Sequence, residues 1–398
     1  MDKAQLESIV ARYRQNLLDG VVPFWLEHSV DREHGGYLHH LDRDGSVFDD
    51  RKMMWMQGRG VWTFSALYER VEKRDEWLEA ARVGAEFLRG RCRDRDGNLY
   101  FLVARDGTPL MAPYNWASEA FAALGWAAYS RVSGESWAAD EARNTLDVFM
   151  RRRENPKGKW NKAMPGSPKL VASGVPMILL NLVGELGGVI ESERLELIAA
   201  ECIETIGLIT GPDGTMYEFT NPDGSRPAGP EGRHVNPGHA IEMSWFMLEE
   251  VRRRAGSGKS EAADDELVAL ALKVLKRNLE IGWDEEHGGI YYFLDIEGRP
   301  HPALEWNMKL WWPHTEAVYA LMLAAEMTGK QWCDEWFERV DAYTWLNFPD
   351  MEREGAWFGY LDRRGERTHE MKGGRFKGFF HVPRALMLVA ESAERRAK

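Results

Sequence analysis

Residues 31–45 read DREHGGYLHHLDRDG, and the wording returns at 284–298 as DEEHGGIYYFLDIEG and, decayed, at 351–365 as MEREGAWFGYLDRRG. Each copy is a turn-rich hairpin between a charged helical stretch and an apolar one. Glycine-centred hairpin signals fall near Gly36, Gly97, Gly158, Gly214, Gly289 and Gly355, at intervals of 61, 61, 56, 75 and 66 residues. A persistent period marks one supersecondary unit repeated, each copy burying its apolar face against its neighbours. Six helix pairs can close into a ring, and a ring encloses a cavity.

The helices before and after the hairpins differ in kind. EWLEAARVGAEFLRGR at 76–91 and ELVALALKVLKRNLEIG at 266–282 carry an apolar stripe against charge. ASEAFAALGWAAYS at 117–130, VPMILLNLVGEL at 175–186 and EAVYALMLAAEM at 316–327 are apolar nearly all round, which means burial all round. Twelve helices therefore sort into an outer and an inner ring, the (α/α)6 barrel. One domain spanning 1–398 is expected, because the repeat runs through the chain without a Pro/Ser-rich linker. Pro176, Pro237, Pro313 and Pro383 lie in or near the first turn of four inner helices, where a missing N–H costs least. Parallel inner helices would bring their N-termini to one end and aim their positive dipole ends at a single cavity, a setting for an anionic intermediate.

Composition excludes several classes. Lys+Arg 51 against Asp+Glu 63 gives −12, which argues against a nucleic-acid partner. No apolar run approaches a membrane-spanning length. The opening MDKAQLESIV lacks the apolar stretch of a signal peptide. Cys92, Cys202 and Cys333 are far apart, odd in number and without CxxC spacing, so a reducing, cytoplasmic setting is expected, with neither disulfides nor zinc. The GSGKS at 256–260 lacks phosphate-loop spacing and follows no strand.

The starts of the inner helices hold the polar residues. They offer Trp55, Gln57 and Arg59; Tyr114, Asn115, Trp116 and Glu119; Ser173 and Met177. Further along come Arg233, Asn236, His239 and Glu242; Lys309, Trp312, His314 and Glu316; Arg375, Lys377 and His381. Unpaired polar groups are expensive to bury, so this concentration calls for a function. Most of the 17 tryptophans are core, but Trp55, Trp116 and Trp312 are placed to stack on a sugar face. His239 and Glu242, three apart on a helix, are expected to pair. His381 opens another inner helix, and two histidines on opposite faces of one carbon suit proton removal and return with inversion. Arg59 would neutralise the developing oxygen charge. His28, His40, His301 and His369 read as structural, His34 and His287 as turn formers, and His314 is open. Glu242, Glu305 and Glu316 equally permit a glycosidase acid–base pair.

At these residues the chain resembles the N-acylglucosamine 2-epimerase family, known in mammals also as renin-binding protein. The matching stretches are FWLEHSVDREHGGY, KMMWMQGRGVWTFSALY, VPMILLNLVGELG, NPGHAIEMSWF, GWDEEHGGIYYF, LEWNMKLWWPHTEA, and FGYLDRRG with KGGRFKGFFHVPR. The resemblance implies an (α/α)6 barrel, a homodimer, and interconversion of N-acetylglucosamine and N-acetylmannosamine at C2 through an enediolate. It implies acid–base roles for His239 and His381, supported by Arg59 and Glu242. Trp55, Trp312, Glu316 and Lys377 match sugar-pocket positions. With them, Gln57, Asn115, Trp116, Met177, Arg233 and Lys309 complete the expected substrate contacts. Neutral-sugar 2-epimerases and aldose–ketose isomerases of mannose, glucose or cellobiose type stand beside this reading. Those branches carry histidine where this chain has Met177 and tend to have tryptophan where it has Phe376. A non-catalytic binding protein is a further alternative. No cofactor is needed for such chemistry. Some N-acyl epimerases are activated by ATP, but this chain shows no nucleotide motif.

Overall fold

The computed structural model describes residues 1–90, 92–258, 262–353 and 355–398. Part of the GSGKS stretch and one residue of the third turn copy lie outside them. The helices are, in chain order, α1 (Lys3–Gln15), α2 (Val22–His28), α3 (Met54–Arg70), α4 (Asp75–Arg89), α5 (Ala117–Ser133) and α6 (Ser136–Arg152). They continue as α7 (Gly174–Glu185), α8 (Ser192–Ile209), α9 (Pro237–Gly256), α10 (Ala262–Gly282), α11 (Trp311–Thr328), α12 (Gln331–Asn347) and α13 (His381–Ala397). Helix α3 packs on α5, α5 on α7, α7 on α9, α9 on α11, α11 on α13, and α13 returns to α3. These six form the inner ring. Outside them α4 packs on α3, α6 on α5, α8 on α7, α10 on α9, α12 on α11 and α1 on α13. The molecule is an (α/α)6 barrel.

Side-chain pattern assigns the layers. In α11 every residue from Trp311 to Ala325 is buried, whereas α4 buries Trp77, Ala80, Ala81, Gly84, Ala85 and Leu88, one stripe at helical spacing. Where α3 meets α5 the backbones touch: a Cβ on Gly125 would stand 2.6 Å from the Gly58 carbonyl oxygen, so neither position admits a side chain. The first outer helix is not continuous. A π-helical segment, Asn16–Val21, separates α1 from α2, where Pro23 supplies no N–H and Asn16 turns its amide oxygen to the Trp357 indole N–H at 2.8 Å.

The repeated turn has a charge at its heart. The Asp that opens the first two copies, and Asp350 just before the third, each accept two backbone N–H groups of the turn, a buried lysine from the next hairpin and an arginine from beyond it. For Asp31 these are Lys52 (2.8 Å) and Arg105 (2.9 Å); for Asp284, Lys309 (3.1 Å) and Arg363 (3.0 Å); for Asp350, Lys372 (2.7 Å) and Arg43 (2.9 Å). Burial alone would raise the Asp284 carboxyl, but hydrogen bonds from Arg363, Tyr291 and Lys309 outweigh it and hold it well below the usual range. Burial in turn pulls the Lys309 ammonium down to about 8. Arg43 reaches Asp350 from the opposite end of the chain, so the third cluster closes the ring.

Bridges Val30–Tyr37, Arg93–Leu99, Thr210–Met216 and Trp283–Ile290 confirm the hairpins at Gly36, Gly97, Gly214 and Gly289. At Gly158 a 3-10 turn, Gly158–Trp160, stands in place of the expected hairpin. Two-residue strands β1 (Lys52–Met53), β2 (Val171–Ala172), β3 (His234–Val235) and β4 (Lys309–Leu310) lead into or close to α3, α7, α9 and α11. Each pairs antiparallel with a strand of the following unit. The inner helices thus all start at one end of the barrel, rimmed by these strands. Cys92, Cys202 and Cys333 are free and buried, and burial pushes each thiol up to about 12. No helix among the described residues is long and apolar enough to cross a membrane.

Candidate active site

A cavity of about 410 Å³ opens at the N-terminal end of the inner ring, and Trp55, Arg59, Met177, His239, Trp312 and His381 line it, with Glu242 on its wall. Five of the six inner helices supply these residues at their first or second turn. For α9 the placement is local chemistry: Pro237 opens the helix and the Asn236 side chain caps it, accepting the His239 N–H at 3.1 Å.

The two histidines are seated by different glutamates, neither as the sequence suggested. His239 Nδ1 meets Glu218 Oε1 at 3.0 Å, while Glu242, its expected partner, accepts from Arg384 at 2.6 Å. The pairing fails because Glu242 is taken by the Arg384 guanidinium, which reaches it from α13, the neighbour of α11 in the ring. His381 Nδ1 meets Glu316 Oε1 at 2.7 Å, and Glu316 also accepts from Arg384 (2.8 Å) and the Trp245 indole (2.9 Å). The Trp312 ring is near both, 5.2 Å from the His239 ring and 6.0 Å from the His381 ring.

Their electrostatics diverge. Burial would lower His239, but the charge and hydrogen bond of Glu218 prevail and raise it above 6.5. Burial lowers His381 well below that value, and Arg59 and Arg384 push the same way. The two rings are thus pushed in opposite directions, His239 toward the imidazolium and His381 toward the free base. Burial draws the Arg59 guanidinium down to about 9, so it stays charged; Trp55, Phe121 and Phe380 surround it at 4.6, 4.1 and 4.7 Å. Its Nε is buried and has no hydrogen-bond partner among the described residues. Glu242, Glu316 and His381 offer ligand-type atoms within 4.8 Å of one another, but Arg384 already donates to both carboxylates, so the cation of this cluster is a guanidinium.

Several expected contacts lie elsewhere. Gln57 is fully buried and spends its amide on the Tyr37 backbone, accepting from N–H at 2.6 Å and donating to C=O at 2.8 Å. Lys309 is held in the Asp284 cluster, and Arg233 pairs with Asp295 at 2.9 Å where His234–Val235 pairs with Leu294–Asp295. Asn115 accepts the Ala117 N–H at the start of α5, and Trp116 packs edge-on to Phe149. Lys377 is buried and donates to the Lys372 carbonyl. Glu316 acts behind His381 rather than on the cavity surface. His314, left open by the sequence, accepts the Ile290 N–H at 2.9 Å and donates to the Leu310 carbonyl, and burial lowers it to about 3. His369, expected to be structural, lines the cavity with Phe376, Tyr292, Glu305 and Tyr360.

Comparison with known proteins places the chain in a family. The family model for N-acylglucosamine 2-epimerase (GlcNAc 2-epimerase) matches residues 36–385. The chain belongs to the N-acylglucosamine 2-epimerase family. The N-acylglucosamine 2-epimerase of Bos taurus is 39% identical over 384 residues, covering 94% of this chain and 89% of the relative. That of Homo sapiens is 37% identical over 383 residues, covering 94% and 88%. Among solved structures, the cellobiose 2-epimerase from Bacillus thermoamylovorans B4167 superposes with a TM-score of 0.83 over 97% of this chain and 99% of its own, at 21% identity, a likeness of fold.

Within this family member, sequence reasoning missed Glu218 and Arg384. Glu218 sits in a loop 21 residues before His239, where no helical spacing links them. Arg384 follows His381 by three residues on one helix face, and that spacing was a usable signal.

Proposed function

We propose that this chain is an N-acyl-D-glucosamine 2-epimerase that interconverts N-acetylglucosamine and N-acetylmannosamine by proton transfer at C2. The carrying observation is the pair of glutamate-seated histidines beside Trp312, their basicities pushed in opposite directions.

In the open-chain sugar the C1 aldehyde acidifies the C2 proton. Neutral His381 takes that proton through Nε2, its Nδ1 being occupied by Glu316. The C–H electrons move to the C1 oxygen, giving an enolate because C2 bears nitrogen. Arg59 and the helix N-termini meet that oxygen's charge. The His239 imidazolium then returns a proton to the opposite face, and the electrons come back to C2 with inverted configuration. Each histidine ends in the protonation state the other began with, so solvent exchange resets the pair. Positioned acid–base groups of this kind contribute about 10² to 10⁴ in rate. Met177 and Phe376 give the cavity apolar surface that suits an acyl methyl. No metal or redox group enters this route, and ATP takes no part in it. The same reading takes the protein as a cytoplasmic homodimer, supported by its free buried thiols and the family resemblance. Sedimentation of the purified chain tests the dimer.

Proton NMR of the protein with N-acetylmannosamine in D2O, without and with ATP, tests the reaction. N-acetylglucosamine signals are expected in both tubes. Conversion of mannose or cellobiose faster than N-acetylmannosamine would replace this reading with a neutral-sugar one.

A further inference from the structure

A second cavity, about 430 Å³, lies on the barrel axis beyond the catalytic floor. It is lined from the opposite ends of the inner helices: Arg70 closes α3, Glu185 closes α7, and Arg253 and Arg395 lie in the last turns of α9 and α13. Phe380 and Arg384 separate the two cavities. The Phe380 ring has the Arg59 guanidinium 4.7 Å away, the Arg384 guanidinium 4.4 Å away and the Trp62 ring edge-on at 5.2 Å.

The lining chemistry is specific. Each guanidinium at this end already faces a carboxylate: Arg70 with Glu391 (2.6 Å), Arg252 with Glu326 (3.0 Å), Arg253 with Glu250 (2.7 Å) and Arg395 with Glu326 (2.7 Å). The ring of charge is balanced, so it gives no advantage to an ionic ligand. It still offers many alternating donors and acceptors, since a guanidinium has five N–H groups and a carboxylate about four acceptor positions. Trp62, Trp245 and Tyr319 add aromatic surface, and Asn181 places an amide in an otherwise apolar stretch of α7. Trp62 is only 3% exposed, and its indole N–H has no hydrogen-bond partner among the described residues. A buried donor left unmatched is costly, and this one belongs to a residue that lines the cavity. Aromatic walls with convergent neutralised polar groups, in a volume inside the ordinary range for ligand pockets, describe a site for a neutral polyhydroxy molecule.

We propose that this axial cavity is a second binding site, for a neutral hydroxyl-rich ligand of one- to two-ring sugar size, coupled to the catalytic site. Two side chains carry the coupling. Trp245 lines the axial cavity and its indole N–H donates to Glu316, which seats His381. Arg384 lines the same cavity and holds both Glu242 and Glu316. A ligand that shifts either one alters the seat of the base, so occupancy of one cavity is felt in the other.

The proposal rests on the epimerase reading only for its probe, N-acetylglucosamine. A Cβ at Gly184 would have no heavy atom within 4 Å, so Gly184→Leu fills the axial cavity from a helical position with ordinary backbone. Asn181→Leu is a second filler. Equilibrium dialysis with radiolabelled N-acetylglucosamine should count two molecules per wild-type chain and one in the fillers. Turnover should depart from a hyperbola at high substrate in the wild type and follow one in Gly184→Leu. One molecule or none bound to the wild type overturns the proposal, as does a count of two in every folded filler. A chain that binds two but does not epimerise overturns the reaction and leaves the second site standing.

Discussion

The first turns of α3 and of α11 are the same scaffold carrying different chemistry. Lys52 and Lys309 lead into them, each buried against the Asp of its turn. Three residues on, Trp55 and Trp312 both line the cavity. Five residues on, Gln57 and His314 both grip the preceding turn, at Tyr37 and Ile290. Seven residues on they part: Arg59 faces the cavity, while Glu316 stands behind His381. The repeat preserves what holds the ring together, and the chemistry is written where equivalent positions diverge. This also explains why Lys309 and Gln57, polar residues at a helix mouth, serve structure.

That division orders the expected effects. His239→Asn and His381→Asn should each lower epimerisation by a hundredfold to ten-thousandfold, roughly, with unchanged thermal melting. A variant that keeps near-normal rate would remove its histidine from the mechanism. Lys309→Met leaves Asp284 without its buried cation and should cost about 3–5 kcal/mol in urea unfolding. Lys52→Met should cost a similar amount, and a clear inequality would break the equivalence of the two helix starts. Gln57→Ala and His314→Ala each strand a buried backbone N–H, an expected loss of about 1–3 kcal/mol. His314→Gln should recover part of that loss, because glutamine does the same work at the equivalent place.

The smallest effect is a shift in pH dependence. The neutral base at His381 is lost only as pH falls well below 6.5, and the His239 imidazolium is lost as pH rises through its raised value. The rate should therefore hold a plateau across 6.5 with a limb on each side. Glu218→Gln removes the charge that raises His239, leaving its burial, so the alkaline limb should move to lower pH while the acid limb stays. An unmoved alkaline limb would dissociate Glu218 from His239.

The barrel was legible because its evidence is periodic: all-apolar against striped helices, prolines in first turns, and a turn that repeats nearly word for word. The break at Asn16–Val21 was hidden, since the flanking pattern stays helical through Pro23. In the site, the sequence singled out His239, His381, Arg59 and Trp312, and the structure brings them to one cavity. It misassigned the partners. His239–Glu242 had ideal spacing, yet long-range contacts decided it: Arg384 claims Glu242 from a residue separation of 142, and Glu218 arrives from a loop. Helical spacing reports which side chains share a face, and ring closure decides what each face meets.

Separate incubations of His239→Asn and His381→Asn in D2O, each with N-acetylmannosamine alone and with N-acetylglucosamine alone, test the two-base account most directly. Each variant keeps one histidine and should exchange the C2 proton of one epimer only, without forming the other, and the two variants should act on opposite epimers. Exchange of the same epimer by both variants, or epimerisation by either at near-normal rate, would contradict proton transfer across the two faces of C2.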